Sequence, residues 1–170
     1  MDLAKMIRDV PDFPKEGIIF KDITTLIKDP EAFKEAVDIL ADHYTGQEVD
    51  LVVAVEARGY IFGAPIAYKL GAGFIPVRKA GKLPAEKVRE EYELEYGTDS
   101  VEMHRDAIVP GQKILIVDDL IATGGSAAAT VRLVERLGGE VLGIAFLIEL
   151  AFLKGVEKLK GYDVFTVFEY

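Results

Sequence analysis

The chain has 170 residues, room for one sizeable buried core and little for a second, and its 50% apolar and 29% charged residues argue against disorder or low-complexity sequence. Twenty basic against twenty-nine acidic residues give a formal charge of −9, opposite to what a nucleic-acid backbone attracts, so no nucleic-acid partner is expected and any phosphate must meet a local basic patch or backbone N–H groups. With no cysteine there are no disulfides, thiolate nucleophiles, Fe–S clusters or cysteine-ligated zinc, and His43 and His104 are too few for a multi-histidine metal site.

The chain opens with Asp2, Lys5, Arg8 and Asp9 among a few apolar residues, without the unbroken apolar stretch of a secretory signal. The charge-free runs 114–117 and 141–148 are far shorter than the ~20 residues a membrane-spanning helix requires. Cytoplasmic residence without a membrane partner is the expectation. Residues 2–10 read as a short helix stopped by Pro11 and Pro14, and Gly17-Ile18-Ile19-Phe20-Lys21-Asp22-Ile23 as a loop or short strand. Asp29-Pro30 supplies an N-cap and a proline at the first helical position. Phe33, Ala36, Val37, Leu40 and Tyr44 continue at helical spacing and end before Gly46.

Residues 51–55 are a β-branched run without alternation, as in a parallel strand covered on both faces. A helix over 59–70, carrying Phe62, Ile66 and Leu70 and closing on Gly71, followed by a strand over 74–77, completes a βαβ unit. The pattern repeats as strand 113–117, helix 126–137 closed by Gly138-Gly139, and strand 141–148, with a last strand over 163–167. The fold class is α/β: an open, mostly parallel twisted sheet with flanking helices, whose ligands sit beyond the carboxyl ends of the strands. Residues 80–109 break this pattern. There Tyr92, Leu94 and Tyr96 share one parity, Glu91, Glu93 and Glu95 the other, and Gly97-Thr98-Asp99-Ser100 is turn-like, which predicts a β-hairpin outside the main sheet acting as a lid. A single domain over 1–170 is expected, with no internal repeat or linker.

The most informative stretch runs from Ile114 to Ser126. A buried strand delivers the adjacent carboxylates Asp118 and Asp119 to the carboxyl edge of the sheet, and Ala122-Thr123-Gly124-Gly125-Ser126 then opens a helix. Small residues at a helix N-terminus let backbone N–H groups, the positive end of the helix dipole and the Thr and Ser hydroxyls surround a phosphate. Paired carboxylates beside them accept hydrogen bonds from neighbouring hydroxyls, as on a ribose, so the stretch describes a pocket for a ribose 5-phosphate. Two adjacent acids after a buried run are costly unless occupied. There is no G-x-x-x-x-G-K-[ST], G-x-G-x-x-G or G-x-S-x-G. Arg58, Arg78, Lys79 and Lys82 follow two strands at the same edge, where a net-acidic protein needs positive charge focused to attract an anion. Read alone, 78–82 is equally a solvated loop, Glu95 one more exposed glutamate beside Glu90, Glu91 and Glu93, and Phe20 simple core.

The segment Val117-Asp118-Asp119-Leu120-Ile121-Ala122-Thr123-Gly124-Gly125-Ser126 resembles the phosphoribosyl pyrophosphate motif of the type I phosphoribosyltransferases, in their adenine-using form. Similarity extends through Phe13-Pro14, Gly17 to Ile23, Glu56-Ala57-Arg58-Gly59-Tyr60-Ile61-Phe62-Gly63, Arg78 to Pro84, Tyr92 to Gly97 and Glu149-Leu150. The resemblance implies that fold, with a small N-terminal hood, and transfer of ribose 5-phosphate from phosphoribosyl pyrophosphate to adenine. It implies Mg²⁺ carried by the substrate pyrophosphate with no direct protein ligand, and a homodimer. It places Asp118 and Asp119 on the ribose; Ala122, Thr123, Gly124, Gly125 and Ser126 on the 5′-phosphate; and Arg58, Arg78, Lys79 and Lys82 on the diphosphate, Arg58 in its own site or its partner's. It places Glu95 as the catalytic acid or base, Tyr96 as a lid contact, Phe20 and Leu150 on the faces of adenine, and the main chain of Ile19 and Lys21 on its edge. A 6-oxopurine enzyme and a non-catalytic phosphoribosyl pyrophosphate sensor are the rival readings.

Overall fold

The computed structural model describes residues 1–94 and 96–170, and the chain divides into two compact units, Met1–Ile39 and Leu40–Tyr170. In the first unit a 3-10 turn, Leu3–Met6, leads into β1 (Arg8–Pro11), which pairs antiparallel with β2 (Ile19–Asp22), Arg8 opposite Asp22 and Pro11 opposite Ile19. The helix expected over 2–10 is therefore a single turn. Nine residues are too few to sustain an isolated helix, whereas Arg8–Pro11 gains a partner strand because the intervening turn closes on itself: Asp12 Oδ1 accepts the Gly17 N–H at 2.8 Å. Asp22 anchors the next element, a one-turn helix α1 (Thr24–Ile27): its Oδ1 accepts the Thr24 N–H at 2.9 Å and the Thr24 hydroxyl at 2.7 Å, and its Oδ2 pairs with Arg8. The hydrogen bonds from Thr24 and Arg8 draw the Asp22 carboxyl down to about 2. Helix α2 (Pro30–Asp42) starts where the sequence says it should, with Asp29 Oδ1 accepting the N–H groups of Glu31 and Ala32 at 3.0 and 2.9 Å.

The second unit is built on a seven-stranded sheet. Its parallel part consists of β3 (Leu51–Val55), β4 (Gly73–Lys79), β7 (Lys113–Ile121), β8 (Glu140–Glu149) and β9 (Val164–Glu169). The two remaining strands are β5 (Lys87–Glu93) and β6 (Thr98–His104), and the order across the sheet is β5-β6-β4-β3-β7-β8-β9. From β3 the chain crosses through α3 (Arg58–Leu70) to β4 on one side, and from β7 through α4 (Gly125–Arg136) to β8 on the other. Right-handed crossovers in opposite directions put α3 and α4 on opposite faces. The direction reverses between β3 and β7, the point at which such sheets bind ligands. The strands' β-branched and aliphatic residues, among them Val53, Ile114, Ile116, Ile144 and Phe146, form the buried core.

The hairpin is part of this sheet and not a flap outside it. β4 pairs with β3 as far as Val55 opposite Val77, then continues for two residues and takes β6 as its neighbour, Arg78 opposite Glu102 and Lys79 opposite Val101. On α4, Arg132 donates to the Glu91 carbonyl at 2.8 Å and Arg136 to the Arg89 carbonyl at 2.7 Å, which ties β5 down as well. Its turn falls earlier than the sequence suggested: the Leu94 N–H donates to the Gly97 carbonyl, while Thr98, Asp99 and Ser100 are already in β6. The parity reading holds for Tyr92, half-buried between exposed Glu91 and Glu93, whereas Leu94 and Tyr96 are exposed beyond the strand.

Candidate active site

A cavity of about 540 Å³ opens at the switch point, between the ends of β3 and β7. β7 runs four residues further than the sequence suggested, through Asp118 and Asp119 to Ile121, because the ten-residue β8 accompanies it, Asp118 opposite Phe146 and Ile121 opposite Glu149. Both acids line the cavity as strand residues, not as a loop beyond the strand. Asp118 packs against the first turn of α3, where a Cβ on Gly59 would lie 2.9 Å from its Oδ1. Burial, then the neighbouring charge of Asp119, pushes the Asp118 carboxyl well above the usual carboxylate range. Asp119 is nearly enclosed and its Oδ2 meets the Arg58 Nε at 2.9 Å.

Ala122, Thr123, Gly124 and Ser126 line the same cavity, and α4 begins at Gly125. The first-turn N–H groups of a helix have no acceptor within it, so this end presents donors and the positive end of the dipole to whatever fills the cavity. Glycine is required here for close approach. Gly124 has φ 85°, and a Cβ on it would stand 2.4 Å from the Gly155 carbonyl oxygen; a Cβ on Gly125 would meet the Tyr92 ring at 2.9 Å. The reciprocal partner, Gly155, was not singled out from sequence: its Cβ would lie 2.3 Å from the Ala122 carbonyl oxygen. Nothing local marks Gly155, since its constraint comes from a loop about thirty residues earlier.

The opposite wall is cationic. Arg58 and Lys79 line the cavity directly. Glu56, which lines it as well, gathers Arg78 and Lys82: its Oε2 accepts Lys82 Nζ at 2.9 Å, and its Oε1 accepts the Lys79 N–H at 2.6 Å and lies 3.5 Å from Arg78 Nε. Burial alone would raise the Glu56 carboxyl; the bonds from Lys82 and Lys79 and the charges of Lys82 and Arg78 outweigh it and hold it below its usual value. Glu56 was not among the sequence candidates, though it adjoins Arg58.

The residues expected on a base fall in the two separate units. In the first, Ile19 is exposed, Phe20 is half-buried with its ring edge-to-face to Phe13 at 5.2 Å, and Lys21 Nζ donates to Asp9 at 2.6 Å. In the second, half-buried Leu150 follows β8, its N–H on the Ile121 carbonyl. Tyr96 is exposed at the hairpin turn, and Glu95 lies outside the described residues. Among the described residues, no helix is long and apolar enough to cross a membrane.

Residues 23–168 match the phosphoribosyl transferase domain. Over its full length the chain is 60% identical to the adenine phosphoribosyltransferase of Alkaliphilus metalliredigens, covering all of both chains. The chain belongs to the adenine phosphoribosyltransferase family. The crystal structure of the adenine phosphoribosyltransferase of Thermoanaerobacter pseudethanolicus superposes with a TM-score of 0.97 at 56% identity, covering 99% of this chain and 98% of that one. The Saccharomyces cerevisiae family member, complexed with adenine and an imino-altritol bisphosphate, gives a TM-score of 0.93 at 44% identity over 98% and 97% of the two chains. The phosphoribosyltransferase fold read from the sequence is thus the fold observed, with its hairpin joined to the sheet.

Proposed function

We propose that the chain transfers ribose 5-phosphate from 5-phosphoribosyl 1-pyrophosphate to N9 of adenine, releasing AMP and pyrophosphate, and that residues 1–170 act as one such domain. The observation that carries this is the division of one cavity: backbone donors and paired acids on one wall, Arg58 and Lys79 on the other. The first wall suits a 5′-phosphate and the ribose hydroxyls, with Ala122 to Ser126 on the phosphate and Asp118 and Asp119 on the hydroxyls. The second suits the departing diphosphate: Arg58 and Lys79 face it, and Arg78 and Lys82, held by Glu56, add to the positive field that stabilises its charge.

Mg²⁺ belongs to this reading. It enters carried by the substrate pyrophosphate, with no direct protein ligand, as suits an ion that dehydrates reluctantly and is commonly held through water and substrate phosphates, and Arg58 and Lys79 line the cavity that would receive that diphosphate. Bound to the substrate, it would neutralise charge on the leaving diphosphate. Adenine recognition is assigned to Ile19, Phe20, Lys21 and Leu150, and proton handling at the base to Glu95, with Tyr96 covering the site. A cytoplasmic homodimer completes the proposal.

The test is pyrophosphate release on mixing the chain with phosphoribosyl pyrophosphate, Mg²⁺ and each of adenine, hypoxanthine and guanine. A pocket matched to the adenine edge leaves buried groups unpaired against a 6-oxopurine, so kcat/KM is expected to favour adenine by roughly 10⁴-fold. Equal use of hypoxanthine moves the assignment to 6-oxopurines, and no release with any base leaves a non-catalytic sensor. Glu95→Gln is expected to lower kcat by about 10²–10⁴-fold with little change in stability.

A further inference from the structure

Lys79 does not stand alone on the cavity wall. Its ammonium donates to the Tyr92 hydroxyl and, at 2.7 Å, to Asp99 Oδ2; the Tyr92 hydroxyl lies 3.2 Å from the same Asp99 oxygen. The three side chains come from β4, β5 and β6 and close a ring of hydrogen bonds across the junction where the hairpin joins the sheet. Tyr92 is fixed in turn, since its ring lies against the Gly125 backbone at the start of α4. A lysine has three N–H donors on a flexible four-carbon stem. Two are engaged here, and the third remains for an anion in the cavity that Lys79 and Tyr92 both line.

We propose that Asp99 is a positioning residue: with Tyr92 it fixes the Lys79 ammonium on the cavity wall, so that one N–H is already aimed at the diphosphate of the donor before the donor arrives. This rests on the function proposed above. A satisfied polar ring is stiffer than its separate bonds, and immobilising a long side chain in advance removes a cost that binding would otherwise carry. Burial would weaken the charge on Lys79, but the bonds to Asp99 and Tyr92 outweigh it and keep the ammonium firmly protonated. Asp99 has no place on the substrate in this arrangement; it acts through Lys79.

The experiment is steady-state kinetics of the full-length chain and Asp99→Asn in both directions. Releasing one lysine from its fixed rotamer is worth about two- to tenfold. The KM values for phosphoribosyl pyrophosphate and for pyrophosphate should rise together by that factor, while kcat and the KM for adenine and for AMP stay within twofold. In a Lys79→Gln background, Asp99→Asn should add less than twofold. Unchanged phosphoribosyl pyrophosphate KM, a loss confined to kcat, or full additivity with Lys79→Gln overturns the proposal. If Asp99→Asn fails to fold, Tyr92→Phe carries the same test. A wild-type chain inactive with phosphoribosyl pyrophosphate instead overturns the function on which the proposal rests.

Discussion

The two walls of the cavity are made by different means. The wall proposed for the phosphate is main chain: the end of β7, three glycine contacts and a helix N-terminus, with carbonyl oxygens pressed where a single methyl would not fit. The cationic wall is side chain, with Arg58, Arg78, Lys79 and Lys82 each held by an acid from another element, Asp119, Glu56 or Asp99. A backbone site tolerates nothing at its contact points. A side-chain site accepts substitution in steps and weakens as charges are screened.

That contrast orders the expected effects of mutation. The largest falls on Gly155→Ala, whose methyl must displace the Ala122 carbonyl: overpacking costs about 1–3 kcal/mol of stability, and a phosphate loop moved by even 1 Å should lose roughly 10²-fold in kcat/KM. Gly71→Ala is the control. Unlike Gly155 it has a positive φ, 69°, and nothing lies within 4 Å of its Cβ position, so only the left-handed backbone penalty of about 1–2 kcal/mol should appear, with kcat/KM unchanged. Thermal unfolding and kinetics of the pair would break the comparison if both behaved alike.

Next is the ribose pair. Asp119→Asn removes a charged acceptor and the partner of Arg58, and AMP should bind roughly 10- to 100-fold more weakly. Asp118→Asn should cost clearly less, because Asp118 is already pushed toward its neutral form; equal losses on calorimetric titration would remove that distinction. Smaller again is Glu56→Gln, which releases Arg78 and Lys82. Both cations are partly exposed, although Glu56 itself is largely buried, so the KM for phosphoribosyl pyrophosphate should rise at most about fivefold, and the difference from wild type should shrink as salt is added.

The smallest effect is the response to acid. Glu56 and Asp99 are held below their ordinary values of 4.5 and 3.8 by their partners. Their contribution to stability is therefore complete above those values and lost as pH falls through the lowered ones. Unfolding free energies of wild type and Glu56→Gln should differ by a constant amount above about pH 5 and converge in acid. The phosphate loop, with no titrating side chain between Ala122 and Ser126, should add nothing to this.

The same division explains what was legible in the sequence. The wall proposed for the phosphate is largely contiguous in sequence, a buried run followed by two acids and small residues, so Asp118 to Ser126 were readable as one stretch, most of which lines a single cavity, and Leu51–Val55 as a strand to the residue. The cationic wall pairs each of its cations with an acid twenty or more positions away. Lys79 and Asp99 meet only because β6 pairs with the last two residues of β4, and no spacing announces that exchange of neighbours. For the same reason the hairpin looked detached: its attachment is two residue pairs at the far end of a strand whose other five residues belong to β3. The N-terminal helix failed differently, because a nine-residue apolar pattern is outweighed by a strand pairing that only the Asp12 turn makes available.

The contact between Gly155 and the Ala122 carbonyl also has a metric consequence. Leu150 hangs on Ile121 by a main-chain hydrogen bond, and the chain that follows it returns to press on the phosphate loop five residues later. The residue assigned to the base and the residues assigned to the phosphate are thereby clamped at two points along a single stretch of main chain. The spacing between the residue proposed for the base and those proposed for the phosphate is held by peptide geometry between the two contacts.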